Sequence, residues 1–234
     1  MATAALMLYR STIGKKVIMA VTGFVLVGFV VVHMVGNLKM FTGEEHLNAY
    51  AGFLRTVGEP LFPYQTLLWV VRLILIVSIV LHLWAATQLT LLDRASRPQR
   101  YAVKKTTTSY ASRTMRWGGV IILLFLIYHL LHFTFGVIVY PEGTFQHPSP
   151  EGAYETYANV VNGFRMWPVS LFYIFSMGAV GLHLYHGTWS MFQTLGLNSK
   201  RWNGLLRNLA VVIALAVFLG NISIPIAVLA GILR

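Results

Sequence analysis

Apolar residues in this chain gather into five long blocks with short polar connections between them. They cover roughly residues 17–38, 66–92, 117–140, 167–195 and 209–233. Each block reaches the ~20 residues a helix needs to cross the hydrocarbon core of a bilayer. In lipid the backbone must satisfy its own hydrogen bonds, so these blocks predict transmembrane helices. The expected architecture is all-α: one integral membrane domain over residues 1–234 with five spans. The fifth block contains Asn221 and Pro225, which predicts a kink, and no histidine. Between the first two blocks, "FTGEEHLNAYAGFLRTVGEP" reads as a short external helix, and "PEGTFQHPSPEGAYE" after the third as a turn-rich external loop. There is no internal repeat and no low-complexity tract.

Basic residues Arg10, Lys15 and Lys16 precede the first block, as in a signal peptide. The apolar run is too long for that and lacks a small-residue cleavage site, so it reads as a retained span. Composition agrees: 56% of the 234 residues are hydrophobic and only 11% are charged, against about a quarter charged in a soluble domain.

The net charge of +11 would suit nucleic acid if it were spread over one surface, but its distribution follows the spans. Arg94, Arg97, Arg100, Lys104, Lys105, Arg113 and Arg116 lie between the second and third blocks, and Lys200, Arg201 and Arg207 between the fourth and fifth. The other side has Lys39, Arg55, Arg165 and Arg234, and it collects Glu44, Glu45, Glu59, Glu142, Glu151 and Glu155. The positive-inside rule then places the N-terminus in the cytoplasm and the C-terminus outside. Nucleic acid is not the partner this pattern implies. A second use for the basic face is docking an acidic partner or anionic membrane lipid.

Six of the eight histidines fall within the blocks: His33, His82, His129, His132, His183 and His186. His46 and His147 fall in external loops. One buried histidine is as readily an interhelical hydrogen-bond partner as a ligand. Four consecutive spans carrying at least one each point instead to a shared task. Depth sharpens this. At ~1.5 Å per residue, His33 and His129 stand toward the outer ends of the first and third spans. His82 and His183 stand toward the cytoplasmic ends of the second and fourth. That permits two bis-histidine sites, one above the other.

A bare transition-metal site usually adds carboxylates or thiolates. The second, third and fourth blocks contain no Asp or Glu, and the chain contains no Cys. The absence of Cys also excludes disulfides, iron–sulfur clusters held by this chain and covalent haem attachment. Haem held by two histidines fits better, because the porphyrin supplies the remaining four nitrogens. Small residues stand nearby: Gly28 and Gly36 flank His33, Ala85 and Ala86 follow His82, and Gly181 and Gly187 flank His183. The first four spans are thus expected to form a bundle around two stacked b haems. Such an electron wire favours a redox function over a histidine-containing transporter or proton channel.

The segments "STIGKKVIMAVTG", "VHMVGN" with "LNAYAGFL", "LHLWAA", "IYHLLHF" and "GLHLYHGTWSMF" resemble the membrane anchor of succinate:quinone oxidoreductases, in its single-chain, five-helix, dihaem cytochrome b form (b558 type). The resemblance runs along essentially the whole chain. It implies a respiratory complex II of the tricarboxylic acid cycle, in the inner (cytoplasmic) membrane of a bacterium. There a flavoprotein subunit oxidises succinate at FAD, and an iron–sulfur subunit passes electrons through two haems to a quinone, generally menaquinone. The reaction can also run toward fumarate reduction. This chain alone oxidises no succinate.

The resemblance assigns the axial iron ligands as His82 and His183 for the cytoplasmic-side haem, and His33 and His129 for the outer one. His132 and His186 compete by position but fall outside the family's ligand positions, so each is expected behind a ligand, hydrogen-bonding a propionate, facing quinone or capping a helix contact. Quinone or propionate contact is expected of Arg72, with Trp69, Glu59, Lys39 and His46 within reach, while snorkelling to the interface explains Arg72 equally well. On the cytoplasmic side, Arg10, Ser11, Lys15 and Lys16 are placed to meet the iron–sulfur subunit. Some fumarate reductases of the family carry a glutamate in the fourth span; here position 181 is Gly and that span has no acid, which favours succinate oxidation. The competing redox assignment, a cytochrome b subunit of a hydrogenase or formate dehydrogenase, needs an external partner and meets the basic cytoplasmic loops here.

Overall fold

A computed structural model describes residues 11–96, 110–141, 143–148 and 154–234. The side chains of Arg10, Arg97, Arg100, Lys104, Lys105, Arg113, Glu142 and Glu151, used above for orientation and docking, lie outside that description. Five of the helices are long and apolar enough to cross a membrane. Helix α1 (Thr12–Asn37) begins where the Ser11 hydroxyl accepts the Gly14 N–H at 2.9 Å, a side-chain cap that satisfies one of the open donors of the first turn. The apolar block alone placed this start at residue 17. A 3-10 turn, Leu38–Thr42, and Gly43 at φ 106° lead into α2 (Glu44–Thr56). This is the helix expected between the first two spans, with Glu44 and Glu45 in its first turn and Arg55 in its last, as the helix dipole favours.

Helix α3 (Thr66–Ala95) is the second span. Helix α4 (Tyr110–His129) passes into a π turn, Leu130–Thr134, and the span ends there rather than at Tyr140. A short helix that hydropathy did not suggest, α5 (Thr156–Phe164), precedes α6 (Trp167–Thr194), and α7 (Asn203–Leu229) closes the chain. Helix α7 continues through Pro225.

Helices α1 and α6 form the centre. Helix α3 packs on α1, α4 packs on α6, and α7 lies against both central helices. The four spans α1, α3, α4 and α6 therefore make a bundle, and α7 covers its back. Neither diagonal of the bundle, α1 with α4 or α3 with α6, has an extended packing seam, and α3 and α4 share none either. An exposed ion pair, Arg116 with Asp93, joins the C-terminal end of α3 to the N-terminal part of α4. On the back of the bundle, Asn37 Nδ2 donates to Asn221 Oδ1 at 3.2 Å, and Asn221 Nδ2 donates to the Val217 carbonyl at 2.8 Å. Such bonds replace unsatisfied amides in a medium without water.

Large apolar side chains such as Phe24, Leu73, Leu124 and Phe175 point outward, as lipid requires. Trp69, Trp117, Trp167 and Trp202 are exposed toward span ends, and Arg201 and Arg207 stack on Trp202 and Trp189 at 5.4 and 5.5 Å. Aromatic rings with cationic neighbours suit the headgroup layer.

Candidate cofactor site: two histidine pairs across the bundle

The histidines meet across the bundle's two diagonals. His33 on α1 faces His129 on α4, with ring centroids 5.9 Å apart and planes at 85°. His82 on α3 faces His183 on α6 at 6.3 Å and 62°. Rings thus approach where helices do not otherwise pack. The separations suit a metal between two imidazoles: bonds of about 2.0–2.1 Å, with each ring centre roughly 1.1 Å beyond its nitrogen, give about 6.3 Å. Among the described residues no three His, Cys, Asp or Glu side chains converge as a metal site. Each pair therefore offers two nitrogens and no more, the donor set that a metal already carried in a macrocycle requires.

Hydroxyl groups orient one ring of each pair. Thr22 Oγ1 donates to the Ile18 carbonyl at 2.7 Å, and His82 Nδ1 lies 3.2 Å from the same oxygen. With the hydroxyl proton committed to Ile18, Nδ1–H donates to Thr22 and Nε2 keeps its lone pair. In the outer pair the corresponding group is Tyr173 on α6. Its hydroxyl is 3.4 Å from His129 Nδ1 and 2.9 Å from His132 Nδ1. His183 Nδ1 is buried without a partner among the described residues.

His132 is fully buried (0% exposed) among Phe133, Tyr140, Phe164 and Tyr173. The π turn puts it there. A regular α-helix would set it ~60° around from His129, whereas the wider turn carries it further toward α5 and α6. It is thus linked to His129 through Tyr173, as a residue behind the pair. His186 is partly buried on α6, one turn beyond His183. His46 and His147 are exposed, and His147 packs on Phe145 at 4.9 Å.

The glycines divide differently from the sequence expectation. A Cβ on Gly36 would come 2.9 Å from Tyr50, and one on Gly181 would come 3.6 Å from Phe218. Those two serve helix packing. Gly23 and Gly119, which sequence reasoning passed over, lie against the rings of His82 and His183, at 3.6 and 3.9 Å from an added Cβ. Thr22 and Tyr173 were missed as well. Their depth matches that of the histidines they meet, but depth alone does not separate them from the other hydroxyls of the spans. Thr22 stands at the level of the inner histidines and Tyr173 at that of the outer ones.

At the end of the bundle where α3 begins, Arg72 stacks on Trp69 at 4.8 Å, and Arg55 stacks on Tyr154 at 5.1 Å. The hydroxyls of Tyr154 and Tyr64 are 2.8 Å apart. Burial holds the Arg55 guanidinium below its ordinary range, with the like charge of Arg72 acting in the same direction and Tyr64 and Tyr154 opposing. Lys39 stands separately over Tyr50 at 5.3 Å, and Glu59 and His46 are exposed. At the start of α1 Lys15 is buried and Lys16 is exposed. A groove of about 390 Å³ there is lined by Ile13, Lys16, Met19, Ser190, Gln193 and Thr194.

A family model described as succinate dehydrogenase/fumarate reductase transmembrane subunit matches residues 91–222. That segment contains His129, His132, His183 and His186, while His33 and His82 precede it. No curated protein and no solved structure matches the chain.

Proposed function

Because the chain belongs to the succinate dehydrogenase/fumarate reductase transmembrane subunit family, we propose that it is the dihaem cytochrome b anchor of a bacterial succinate:quinone oxidoreductase. The observation that carries the reading is the pairing of His33 with His129 and His82 with His183, at 5.9 and 6.3 Å across the bundle diagonals. His82 and His183 hold a b haem toward the cytoplasmic side, and His33 and His129 hold one toward the outside. When bound, each haem supplies a reversible one-electron ferric/ferrous couple, linking an iron–sulfur subunit on the cytoplasmic face with menaquinone in the membrane.

The chain's own residues bind, orient and exclude. Thr22 keeps the proton of His82 on Nδ1 and so leaves Nε2 as the metal-binding nitrogen. The apolar spans keep water from both pairs. At the outer face Arg72 and Arg55, with the Tyr64–Tyr154 hydroxyl pair, present donors to a quinone carbonyl or a haem propionate. At the cytoplasmic face Lys16, Arg94, Arg116, Lys200, Arg201 and Arg207 are exposed and suit docking of the iron–sulfur subunit, with the FAD-bearing flavoprotein beyond it.

A dithionite-reduced minus oxidised spectrum of the purified protein tests the haem assignment, and absence of a b-type band would sink it. His183→Ala is expected to lose one of two haems, whereas His186→Ala keeps both. Two unaltered haems in His183→Ala would overturn the ligand assignment. Co-purification of a flavoprotein and an iron–sulfur protein is the expected sign of the complex.

A further inference from the structure

His132 raises a question that the two pairs do not answer. A fully buried imidazole is costly unless its nitrogens are bonded. His132 Nδ1 meets the Tyr173 hydroxyl at 2.9 Å, while Nε2 is buried without a partner among the described residues. Gly163 lets the helix backbone approach it: an added Cβ there would stand 2.7 Å from His132 Nε2 and 2.6 Å from the Tyr140 hydroxyl. The ring is therefore seated by backbone that leaves no room for a side chain. The same Tyr173 oxygen that meets His132 also lies 3.4 Å from His129 Nδ1.

We propose that Tyr173 and His132 form a two-residue brace that positions His129: His129 Nδ1–H donates to the Tyr173 oxygen, and the Tyr173 hydroxyl donates to His132 Nδ1. A phenol has one proton and two lone pairs, so the Tyr173 oxygen can accept from His129 and donate to His132 at the same time. In this order His132 carries its proton on Nε2 and its Nδ1 acts as the acceptor. It turns the Tyr173 oxygen's lone pairs toward His129. Tyr173 is further clamped by Phe125, Phe133 and Phe164, with ring centroids 5.2, 5.6 and 4.9 Å away. The brace sets both the plane of the His129 ring and which of its nitrogens carries the proton. A hydrogen bond accepted from the distal nitrogen of a ligating histidine raises the basicity of the ligating nitrogen, which favours the ferric over the ferrous state. Both are positioning residues for the outer site alone, since the inner pair has Thr22 in that place.

This inference rests on the dihaem reading, and one experiment separates the two. Redox titration and EPR spectra are recorded for wild type and for the variants Tyr173→Phe, His132→Leu and His132→Asn. Tyr173→Phe keeps the ring and its clamp. It is expected to retain both haems while raising the midpoint potential, and moving the EPR g values, of one haem only. His132→Leu is expected to shift the same haem in the same direction by less. His132→Asn, whose side-chain oxygen can stand near the lost Nδ1, is expected to restore part of the wild-type value. Two haems in wild type, with unmoved potentials and g values in Tyr173→Phe, overturn the brace and leave the dihaem reading intact. So does an equal shift of both haems. Absence of any b-type band in wild type overturns the dihaem reading itself.

Discussion

Thr22 offers a direct comparison with Tyr173, because each hydroxyl serves one histidine of one pair. Replacing Thr22 with Val preserves shape and removes the oxygen that meets His82 Nδ1 at 3.2 Å. Loss of such an orienting partner typically weakens metal binding by about 10-fold or more. Thr22→Val is therefore expected to weaken retention of the haem proposed for the His82–His183 pair about tenfold, read by haem titration of the depleted protein, with the His33–His129 site unchanged. Equal weakening at both sites would contradict a local role. The histidines themselves were legible in the sequence because an ionisable residue in a long apolar run stands out. Thr22 and Tyr173 were not, because hydroxyls are ordinary in membrane helices and their partners lie on other helices. His132 was noticed but its direction was not, because the π turn that rotates it has no residue pattern in hydropathy.

Among helices, the contact between α1 and α7 is the easiest to probe. Asn37 and Asn221 share a hydrogen bond in a water-free setting, and such bonds contribute about 0.6 kcal/mol on average. A double-mutant cycle with Asn37→Leu and Asn221→Leu is expected to give a coupling of about that size. A coupling indistinguishable from zero, measured by unfolding in detergent, would mean that the pair orders the helices without stabilising them. Hydropathy located all five spans because span length follows bilayer thickness. It misjudged their ends, since ends depend on local devices: the Ser11 cap extends α1 to Thr12, and the π turn followed by Gly136 at φ 62° ends the third span at Thr134. Helix α5 escaped because nine residues carry too little periodicity to separate them from a loop.

Orientation belongs to the chain as a whole. The chain has no cysteine, so single cysteines can be introduced without removing others first. A cysteine at Lys200 is expected to react with an impermeant thiol reagent only after the membrane is opened, and one at Glu45 in intact spheroplasts. The reverse pattern would invert the molecule and place its basic face outside. The bundle also has an asymmetry that charge does not reveal. Helices α1, α6 and α7 hold one another, whereas α3 leans on α1 and α4 leans on α6, with the exposed Arg116–Asp93 pair between their inner ends. An exposed pair of this kind contributes at most about 1 kcal/mol. With the proposed haems held between the facing imidazoles, ligation would bridge both diagonals and act as a pair of transverse rivets. Binding of this kind favours the closed bundle by mass action. Chains made when porphyrin is scarce would lack these cross-links and are expected to be more open to the proteases of the membrane. The amount of this protein in a cell should track porphyrin supply, and immunoblots of haem-limited cultures should show it falling while its transcript persists.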